Sequence, residues 1–222
     1  MECFDFTSIL DYSATLAGDV LSTFKYPWEF LSSLEEYIKN LGCRLNGHGY
    51  KEILPSVWIG ENVKISPTAE IHGPCIIGEN SEIRHCAFIR GSVLIGRGCV
   101  VGNSTELKNC ILFDKTQVPH YNYVGDSILG KGSHLGASSV ISNLKSDGSD
   151  VCVTIGGERL STGRRKFGAI LGDGADVGCG SVLNPGSIIG RGSRIYPHST
   201  IRGTVPSHSI YKSDEETVQI NE

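Results

Sequence analysis

The stretch IGENVKISPTAEIHGPCIIGENSEIRHCAFIRGSVLIGRGCVV, residues 59–101, repeats a pattern of six residues. A large apolar residue stands at every sixth position: Ile59, Ile65, Ile71, Ile77, Ile83, Ile89, Ile95, Val101, Leu107 and Phe113. A mostly small residue follows four positions later, at Val63, Ala69, Cys75, Ser81, Ala87, Val93, Cys99 and Thr105. A helix has a period of about 3.6 residues and a lone strand a period of about two, so this period indicates short parallel strands stacked as coils.

The same period returns in a second phase toward the carboxyl end. Its large positions are Tyr123, Leu129, Leu135, Ile141, Leu171, Val177, Leu183, Ile189, Ile195 and Ile201, and its later small positions are Ala175, Ser181, Ser187, Ser193 and Ser199. The change of phase lies between Leu107 and Tyr123. We predict an all-β chain with a parallel β-helix from about Ile59 to Val205, whose large side chains point to the axis while stacked coils bury one another.

The two ends of the chain lack the repeat. Residues 1–50 predict a helical cap, with one helix from Pro27 to Gly42 and a shorter one around residues 8–24, because Pro suits a first turn and Gly ends a helix. We expect this cap to cover the open end of the coil, where an unpaired strand edge would invite aggregation. The β-helix domain is predicted over residues 51–212 and a flexible tail over 213–222.

Residues 143–168 interrupt the second phase. Val151, Val153 and Ile155 alternate ahead of Gly156-Gly157, which predicts a small hairpin. The segment Arg164-Arg165-Lys166 then places three cations at the exit of this loop. Two interpretations remain open, a solvated loop and an anion-binding loop, since loops on rigid scaffolds commonly carry function.

Composition excludes several classes of protein. The net charge is −4 with no run of Lys and Arg, so no nucleic-acid surface is expected. No apolar stretch approaches the roughly 20 residues of a membrane span. Glu2 and Asp5 stand where a secretory signal carries positive charge, so we expect a cytoplasmic protein. The eight cysteines form no C-x-x-C pair, and Cys75 and Cys99 fall in the small-residue slot, which predicts free buried thiols rather than disulfides or a metal site.

Two sets of motifs resemble a known family. Hexads of the form Ile-Gly-x-x-Ser-x resemble those of the left-handed β-helix acyltransferases, and the left hand is expected from that resemblance. GNSTELKNCILFDKTQVPHYNYVGDSILGKGSHLGASSVISN, residues 102–143, resembles the acetyltransferase domain of the bifunctional N-acetylglucosamine-1-phosphate uridyltransferase/glucosamine-1-phosphate acetyltransferases. The YPW segment and TGRRKFGAILGD resemble archaeal-type sugar-1-phosphate nucleotidylyltransferase/acetyltransferases. The likeness covers about residues 25–212 and includes no G-x-G-T-R-type phosphate loop, so no uridylyltransferase activity is expected.

The resemblance implies roles for single residues. His120 corresponds to the family's catalytic histidine, and an imidazole suits a reaction whose attacking amine must be neutral. Arg90 and Lys108 correspond to residues that hold the sugar phosphate, which a guanidinium and an ammonium bind well. Tyr123 corresponds to a tyrosine on the sugar, and Asn143 to an asparagine at the edge of the site.

The resemblance also implies ligands and an assembly. Lys166, or Arg165 in its place, corresponds to a lysine of the family's loop, and Cys179, Pro197 and Lys212 correspond to positions that face the cofactor. The implied cofactor is acetyl-CoA, used as co-substrate, with no metal. The implied partners are an amino-sugar phosphate and two further copies of the chain in a homotrimer.

Two departures from the family leave alternatives open. His134 replaces an asparagine of the bacterial enzymes and Leu144 a tyrosine, so galactosamine 1-phosphate or another amino sugar is an alternative substrate. A non-catalytic sugar-phosphate-binding or regulatory relative is the second hypothesis. A γ-carbonic-anhydrase-like metalloenzyme is the third, but it needs three histidines around zinc with one closely spaced pair. The candidates lack that close pair: His72, His85, His120, His134 and His198.

Overall fold

A computed structural model describes residues 5–213 and 216–220. Its main feature is a coil with three flat faces, each of them a β-sheet whose strands come from successive turns of the coil. Parallel pairing joins nearly all neighbouring strands, as in Trp58 opposite Ile76 and Ile76 opposite Leu94. The predicted fold class, an all-β chain built around a parallel β-helix, is confirmed.

The strands fall into the three faces and one separate hairpin. The first face runs β1 (Lys51–Leu54), β2 (Val57–Ile59), β5 (Cys75–Ile77), β8 (Val93–Ile95), β11 (Cys110–Leu112), β14 (Ile128–Leu129), β19 (Ala169–Leu171), β22 (Ser187–Ile189) and β25 (Thr204–Val205). The second runs β3 (Lys64–Ile65), β6 (Glu82–Ile83), β9 (Val100–Asn103), β12 (Gln117–His120), β15 (His134–Leu135), β20 (Asp176–Val177), β23 (Arg194–Ile195), β26 (Ser209–Ser213) and β27 (Glu216–Gln219). The third runs β4 (Glu70–Ile71), β7 (Phe88–Ile89), β10 (Glu106–Lys108), β13 (Tyr123–Gly125), β16 (Val140–Ile141), β21 (Val182–Leu183) and β24 (Thr200–Ile201). The hairpin is β17 (Cys152–Ile155) with β18 (Glu158–Ser161).

The axis of the coil is filled as the repeat predicts. Apolar side chains from all three faces form one buried cluster, which includes Cys75 and Cys99 as free thiols. Several hydroxyl groups in the small-residue slots find backbone partners, as where Ser81 Oγ donates to the carbonyl of Gly96 at 2.9 Å, although the buried Ser133 hydroxyl has none among the described residues. Such bonds remove the cost of burying a polar group beside the turns.

The predicted apolar series is wrong at two positions. Leu107 lies opposite Val124, one residue sooner than the regular spacing requires, so Val124 fills the axis and Tyr123 points outward. Leu112 likewise takes the axial place predicted for Phe113, which instead is buried on the outer side of the first face. In the coils that contain these residues, the corner between the third and first faces is one residue shorter. The position that points to the axis therefore shifts by one residue.

The N-terminal region has less regular helix than predicted. It contains 3-10 helices at Phe6–Ser8, Tyr12–Ala14 and Pro27–Ser32, the single-turn helix α1 (Gly18–Leu21) and the longer α2 (Leu34–Leu45). The predicted stop at Gly42 is wrong, since α2 continues past it. A Cβ at Gly42 would lie 2.2 Å from the Trp58 ring, so this glycine allows the helix to approach the coil closely.

The N-terminal region also lies elsewhere than predicted: it runs along the first face instead of covering an end. Arg191 Nε donates to the carbonyl of Ser8 at 3.0 Å near one end of the coil, and the amide of Asp114 donates to the carbonyl of Ala14 at 2.8 Å further along. Helix α2 then contacts β5 and β8 near the other end. This N-terminal region, which we call the N-terminal arm, packs against outward-pointing side chains of the first face. The six-residue pattern assigned no role to these residues: Trp58, Ile76, Leu94, Ile111, Ile128, Ile170 and Ile188.

The remaining segments mix confirmed and corrected expectations. The hairpin predicted within residues 143–168 is present as β17 and β18. The tail was predicted to be flexible, but Glu216–Gln219 is a strand that pairs antiparallel with Ser209–Ser213. Residues 1–4, 214–215 and 221–222, which include Cys3 and parts of the predicted cap and tail, lie outside the described residues. None of the helices in the described part of the chain is long and apolar enough to cross a membrane, and the cytoplasmic location stays a prediction.

Candidate functional site

Three of the predicted site residues lie along one edge of the third face. Arg90, Lys108 and Asn143 stand at or just after the ends of β7, β10 and β16, where the chain turns toward the first face. Residues at the same corner of successive coils stack about 4.8 Å apart, and Arg90 and Lys108 are stacked in this way. Lys108 lies opposite Gly125, so Asp126 and Asn143 form an adjacent stack one residue further along the chain, and the amide of Asp126 donates to the carbonyl of Lys108 at 3.0 Å. We call Arg90, Lys108, Asp126 and Asn143 the cation corner.

Asp126 is the centre of the cation corner. Its carboxylate accepts hydrogen bonds from Asn109 Nδ2 at 2.7 Å and from Asn143 Nδ2 at 2.5 Å. Lys108 Nζ lies 3.5 Å and Arg164 Nη2 3.9 Å from its oxygens, and the side chain is only 4% exposed. A nearly buried carboxylate with this many donors holds its neighbours in fixed positions. Sequence reasoning missed Asp126.

The backbone explains why Asp126 stands where it does. The corners after β10 and β13 each have a residue with positive φ, Asn109 at 47° and Asp126 at 49°. Asn and Asp tolerate this region better than other side-chain-bearing residues. Both corners lie where the six-residue repeat shifts by one residue. Asn109 and Asp126 within this shifted segment are therefore the sequence signal that could have indicated the candidate site.

Arg90 and Tyr123 lie on the adjoining surface of the third face. Arg90 Nη1 lies 2.7 Å from Glu106 Oε1, and this hydrogen bond raises the pKa of the guanidinium. Partial burial, together with the charges of Glu106 and Asp126, raises the pKa of the Tyr123 hydroxyl, whereas a hydrogen bond with Asn143 acts against it. Tyr123 therefore keeps its proton at neutral pH and remains a donor.

The loop supplies a different cation from the one predicted. Arg164, not Lys166 or Arg165, is the residue of this segment whose side chain forms an ion pair with Asp126. Burial lowers the pKa of Arg164, and the charge of Asp126 opposes that effect. The backbone of Lys166 bridges to Leu144, and its side chain is exposed. The role expected for Lys166 stays a prediction.

His120 lies at the other edge of the third face, where the chain arrives from the second face. Its carbonyl accepts from Ser138 N at 3.0 Å, the carbonyl of Ala137 from Gly180 N at 2.8 Å, and the carbonyl of Cys179 from His198 N at 2.9 Å. These bonds join successive coils, so His120, Ala137, Cys179 and Pro197 form a second column. We call these four residues the histidine corner.

Strand β13 connects the two corners, because its first residue, Tyr123, is three positions after His120. His120 is exposed, and its backbone amide donates to Asn122 Oδ1 at 3.1 Å. Across the described ranges, no hydrogen bond or ion pair links the His120 imidazole to the cation corner. The structure therefore brings Arg90, Lys108, Tyr123 and Asn143 together and places the backbone of His120 at the opposite end of strand β13.

Two other predicted residues are engaged elsewhere. Lys212 Nζ lies 2.5 Å from Glu216 Oε1, and this bond raises the pKa of the ammonium. His134 Nδ1 lies 2.8 Å from Asp176 Oδ1 on the second face, so the residue that departs from the bacterial pattern has a carboxylate partner. Within residues 5–213 and 216–220, no group of three His, Cys, Asp or Glu residues is placed to hold a metal ion.

Comparison with known proteins identifies related chains. Residues 71–167 match the family model described as the GMPPB C-terminal domain. The chain is 33% identical over 154 residues to the bifunctional protein GlmU of Methanococcus vannielii, covering 68% of this chain and 37% of that relative. The β-helix is GlmU-like. The GlmU protein of Methanococcus maripaludis is 34% identical over 155 residues, covering 69% of this chain and 38% of that one.

A third relative is named for two activities. The bifunctional sugar-1-phosphate nucleotidylyltransferase/acetyltransferase of Sulfurisphaera tokodaii is 32% identical over 112 residues, covering 50% of this chain and 28% of that protein. This chain thus spans a little over a third of the two GlmU relatives and less of this third one. The matches to the bifunctional proteins fall in their C-terminal parts.

Solved structures resemble the coil only distantly. The N-acyltransferase AntD of Bacillus cereus, solved with dTDP and coenzyme A, has a TM-score of 0.45 at 18% identity and covers 74% of this chain and 84% of that one. A hexapeptide transferase family protein of Anaplasma phagocytophilum has a TM-score of 0.40 at 17% identity, covering 72% and 80%.

Proposed function

We propose that this β-helix is an acetyl-CoA-dependent N-acetyltransferase that acts on an amino-sugar 1-phosphate similar to glucosamine 1-phosphate. One observation carries the proposal: two cations stand at one edge of the third face, and a histidine stands at the other. Strand β13 has three residues, so it spans about 10 Å. In an amino-sugar 1-phosphate the phosphate on C1 and the amine on C2 are neighbours, so the long side chains of Arg90 and Lys108 must extend over this strand toward His120 for one substrate to meet both.

The cation corner suits the phosphate end of that substrate. Arg90 offers a planar guanidinium for two parallel hydrogen bonds, and Lys108 adds a compact positive charge. Glu106 and Asp126 hold these two cations in place before the ligand arrives, which reduces the entropy lost on binding. The protonated Tyr123 hydroxyl is available between them as a donor to the sugar.

His120 suits the amine end. The neutral imidazole accepts a proton from the substrate nitrogen as this nitrogen attacks the thioester carbon of acetyl-CoA. A C–N bond forms, the C–S bond breaks, and the departing thiolate of coenzyme A takes up a proton. A positioned base of this kind contributes about 10²- to 10⁴-fold in rate.

The histidine corner suits the coenzyme. Cys179 lies two coils from His120 and Pro197 three, which places them about 10 and 14 Å along the axis from the base. An extended acetyl-CoA lying along this corner presents its thioester near His120. We infer that a second copy of the chain supplies the opposite wall of the groove in a homotrimer, since the corner itself is exposed. Lys212, which the resemblance assigns to the coenzyme, is bonded to Glu216 in this structure.

A non-catalytic sugar-phosphate-binding protein is the second candidate. Lys108 and Asn143 already contact Asp126, and no carboxylate orients the His120 imidazole among the described residues. Such an arrangement binds phosphate without a prepared base. Coenzyme binding without turnover of any amino-sugar phosphate favours this candidate.

The deciding experiment follows acetylation directly by mass spectrometry. The purified chain is incubated with acetyl-CoA and, separately, with glucosamine 1-phosphate, galactosamine 1-phosphate and unphosphorylated glucosamine. We expect an N-acetylated product from one of the phosphates and a much higher KM when Arg90→Gln removes the guanidinium. Equal rates with and without the phosphate group would contradict the assignment of the cation corner.

A further inference from the structure

A second cleft lies beside Asn143, between the inserted hairpin segment and the end of the third face. Its volume is about 460 Å³, within the range of small-molecule sites. Ser142 and Leu144, the neighbours of Asn143 in the chain, line it. The cleft therefore adjoins the cation corner but consists of other residues.

The walls of this cleft are fixed against the coil. Val151 and Val153 of the hairpin segment are buried in the cluster that contains Ile188. Thr204 Oγ1 donates to the carbonyl of Thr154, which ties β17 to the first face. A Cβ at Gly186 would lie 2.3 Å from the carbonyl oxygen of Cys152, so the hairpin backbone lies directly on this corner.

Positive charge dominates the lining. Arg159 comes from the hairpin, Arg202 from the corner after β24, and Lys145 from the loop. The guanidinium groups of Arg159 and Arg202 are exposed and have no ion pair or hydrogen bond within the described part of the chain. Lys145 Nζ lies 3.7 Å from the Asp147 carboxylate and also donates to Ser149 Oγ and, at 3.4 Å, to the carbonyl of Asp150. Three cations and one carboxylate therefore line the cleft.

The same cleft offers an apolar surface. Leu144 is 41% exposed, and Pro185 lies on the opposite, coil side of the cleft. An exposed leucine beside unpaired guanidinium groups suits a ligand with a charged part and a flat or apolar part. Nucleotides have this composition, since arginine forks grip phosphate oxygens while the base or ribose packs on apolar side chains.

We propose that this cleft is a second anion site that binds the diphosphate group of a nucleotide through Arg159, Arg202 and Lys145. The diphosphate can belong to a sugar nucleotide or to coenzyme A, and both offer the same chemistry to the three cations. None of these residues belongs to the cation or histidine corner, so the site is separate from the proposed acetyl transfer and stands without it.

Isothermal titration of the full chain with inorganic pyrophosphate, UDP and coenzyme A tests this site. We expect saturable binding of pyrophosphate, and at least a roughly tenfold higher Kd in the double variant Arg159→Gln/Arg202→Gln, because one charged hydrogen bond contributes about 1.5–3 kcal/mol. The matched control Arg44→Gln/Lys51→Gln removes equal charge from the N-terminal region and should leave the Kd unchanged. Circular dichroism confirms that each variant is folded.

A third variant separates this site from the cation corner. Arg90→Gln/Lys108→Gln should abolish any acetyl transfer and leave pyrophosphate binding intact. Loss of one coenzyme A binding event in Arg159→Gln/Arg202→Gln, with binding along the histidine corner retained, supports the coenzyme as the source of the diphosphate, whereas loss of UDP binding supports a sugar nucleotide. No saturable binding of any probe, or an equal Kd in the wild type and in Arg159→Gln/Arg202→Gln, would overturn the proposal.

Discussion

The side-chain amide of Asn143 donates to the carboxylate of Asp126, with 2.5 Å between Nδ2 and Oδ2. This bond joins two coils of the β-helix at the corner where the inserted segment leaves the repeat. Asp126 also faces Lys108 and Arg164, so one nearly buried carboxylate holds together a coil residue, a loop residue and a candidate phosphate ligand. The stability and the function of this corner are therefore linked.

Asp126→Asn tests that link. The substitution keeps the shape but removes the charge, which leaves Arg164, 18% exposed, without its carboxylate partner. We expect the free energy of unfolding to fall by about 1–3 kcal/mol, measured by urea denaturation. Asp147→Asn is the control, because that carboxylate lies exposed in the loop and bonds locally. Equal stability of the two variants would contradict the central place of Asp126.

Gly42→Ala tests the contact between α2 and the coil. An added methyl group meets the buried Trp58 ring at 2.2 Å, so either the helix or the ring must move. Overpacking of this kind costs about 1–3 kcal/mol, although alanine favours a helix more than glycine does. Asn40→Ala, on the exposed side of the same helix, should leave the stability nearly unchanged. A more stable Gly42→Ala variant would show that the helix does not press on Trp58.

Asp173 on the coil is a further contact of the N-terminal region, because its Oδ2 accepts from the amide of Asp11 at 2.8 Å. Asp173→Asn tests this contact through its pH dependence. Burial raises the pKa of Asp173 above its ordinary value of 3.8. The folded protein therefore holds this proton more tightly than the unfolded chain, and the contribution of Asp173 to stability falls as pH rises through that window. We expect the unfolding free energy of the wild type minus that of Asp173→Asn to decrease from about pH 4 upward and then level off. If the difference in unfolding free energy instead grew with pH, the burial of this carboxylate would be contradicted. Asp150→Asn is the control for general charge effects.

Cysteine labelling tests the proposed coenzyme groove. Cys43 and Cys179 are both exposed, whereas Cys75, Cys99 and Cys110 are buried. Burial raises the pKa of the Cys99 thiol to about 12, so it should react only after unfolding. We expect acetyl-CoA to slow the alkylation of Cys179 and not that of Cys43, as measured by peptide mass spectrometry. Equal protection of both would mean that the coenzyme does not lie along the histidine corner.

The axial part of the fold could be predicted because the six-residue period is local. Each hexad contributes one large and one small inward residue, and Leu171 through Ile201 take the predicted axial places. The series failed at Phe113 and Tyr123, where the shorter corners at Asn109 and Asp126 shift the phase by one residue. The periodic pattern reveals that the repeat changes phase, but it does not reveal which corner is one residue shorter.

Features that depend on distant contacts could not be predicted. The N-terminal arm lies along the first face because outward side chains such as Ile76 and Ile128 need cover, and the hexad pattern assigns those positions no role. Arg164, and not Lys166, forms the ion pair with Asp126, and this outcome depends on how the hairpin packs against the coil. The sequence motif indicated Arg90, Lys108 and Tyr123, whereas the hydrogen bonds and ion pairs that centre on Asp126 depend on the three-dimensional arrangement.

The most direct test of the account measures acetyl transfer from acetyl-CoA to glucosamine 1-phosphate and galactosamine 1-phosphate by the wild type, His120→Ala and the control His48→Ala. His48 is an exposed histidine in the N-terminal region, so its removal should leave the rate unchanged. We predict that His120→Ala lowers kcat by about 10²-fold or more with little change in KM. An equal kcat in the wild type and His120→Ala would contradict the assignment of His120 as the base.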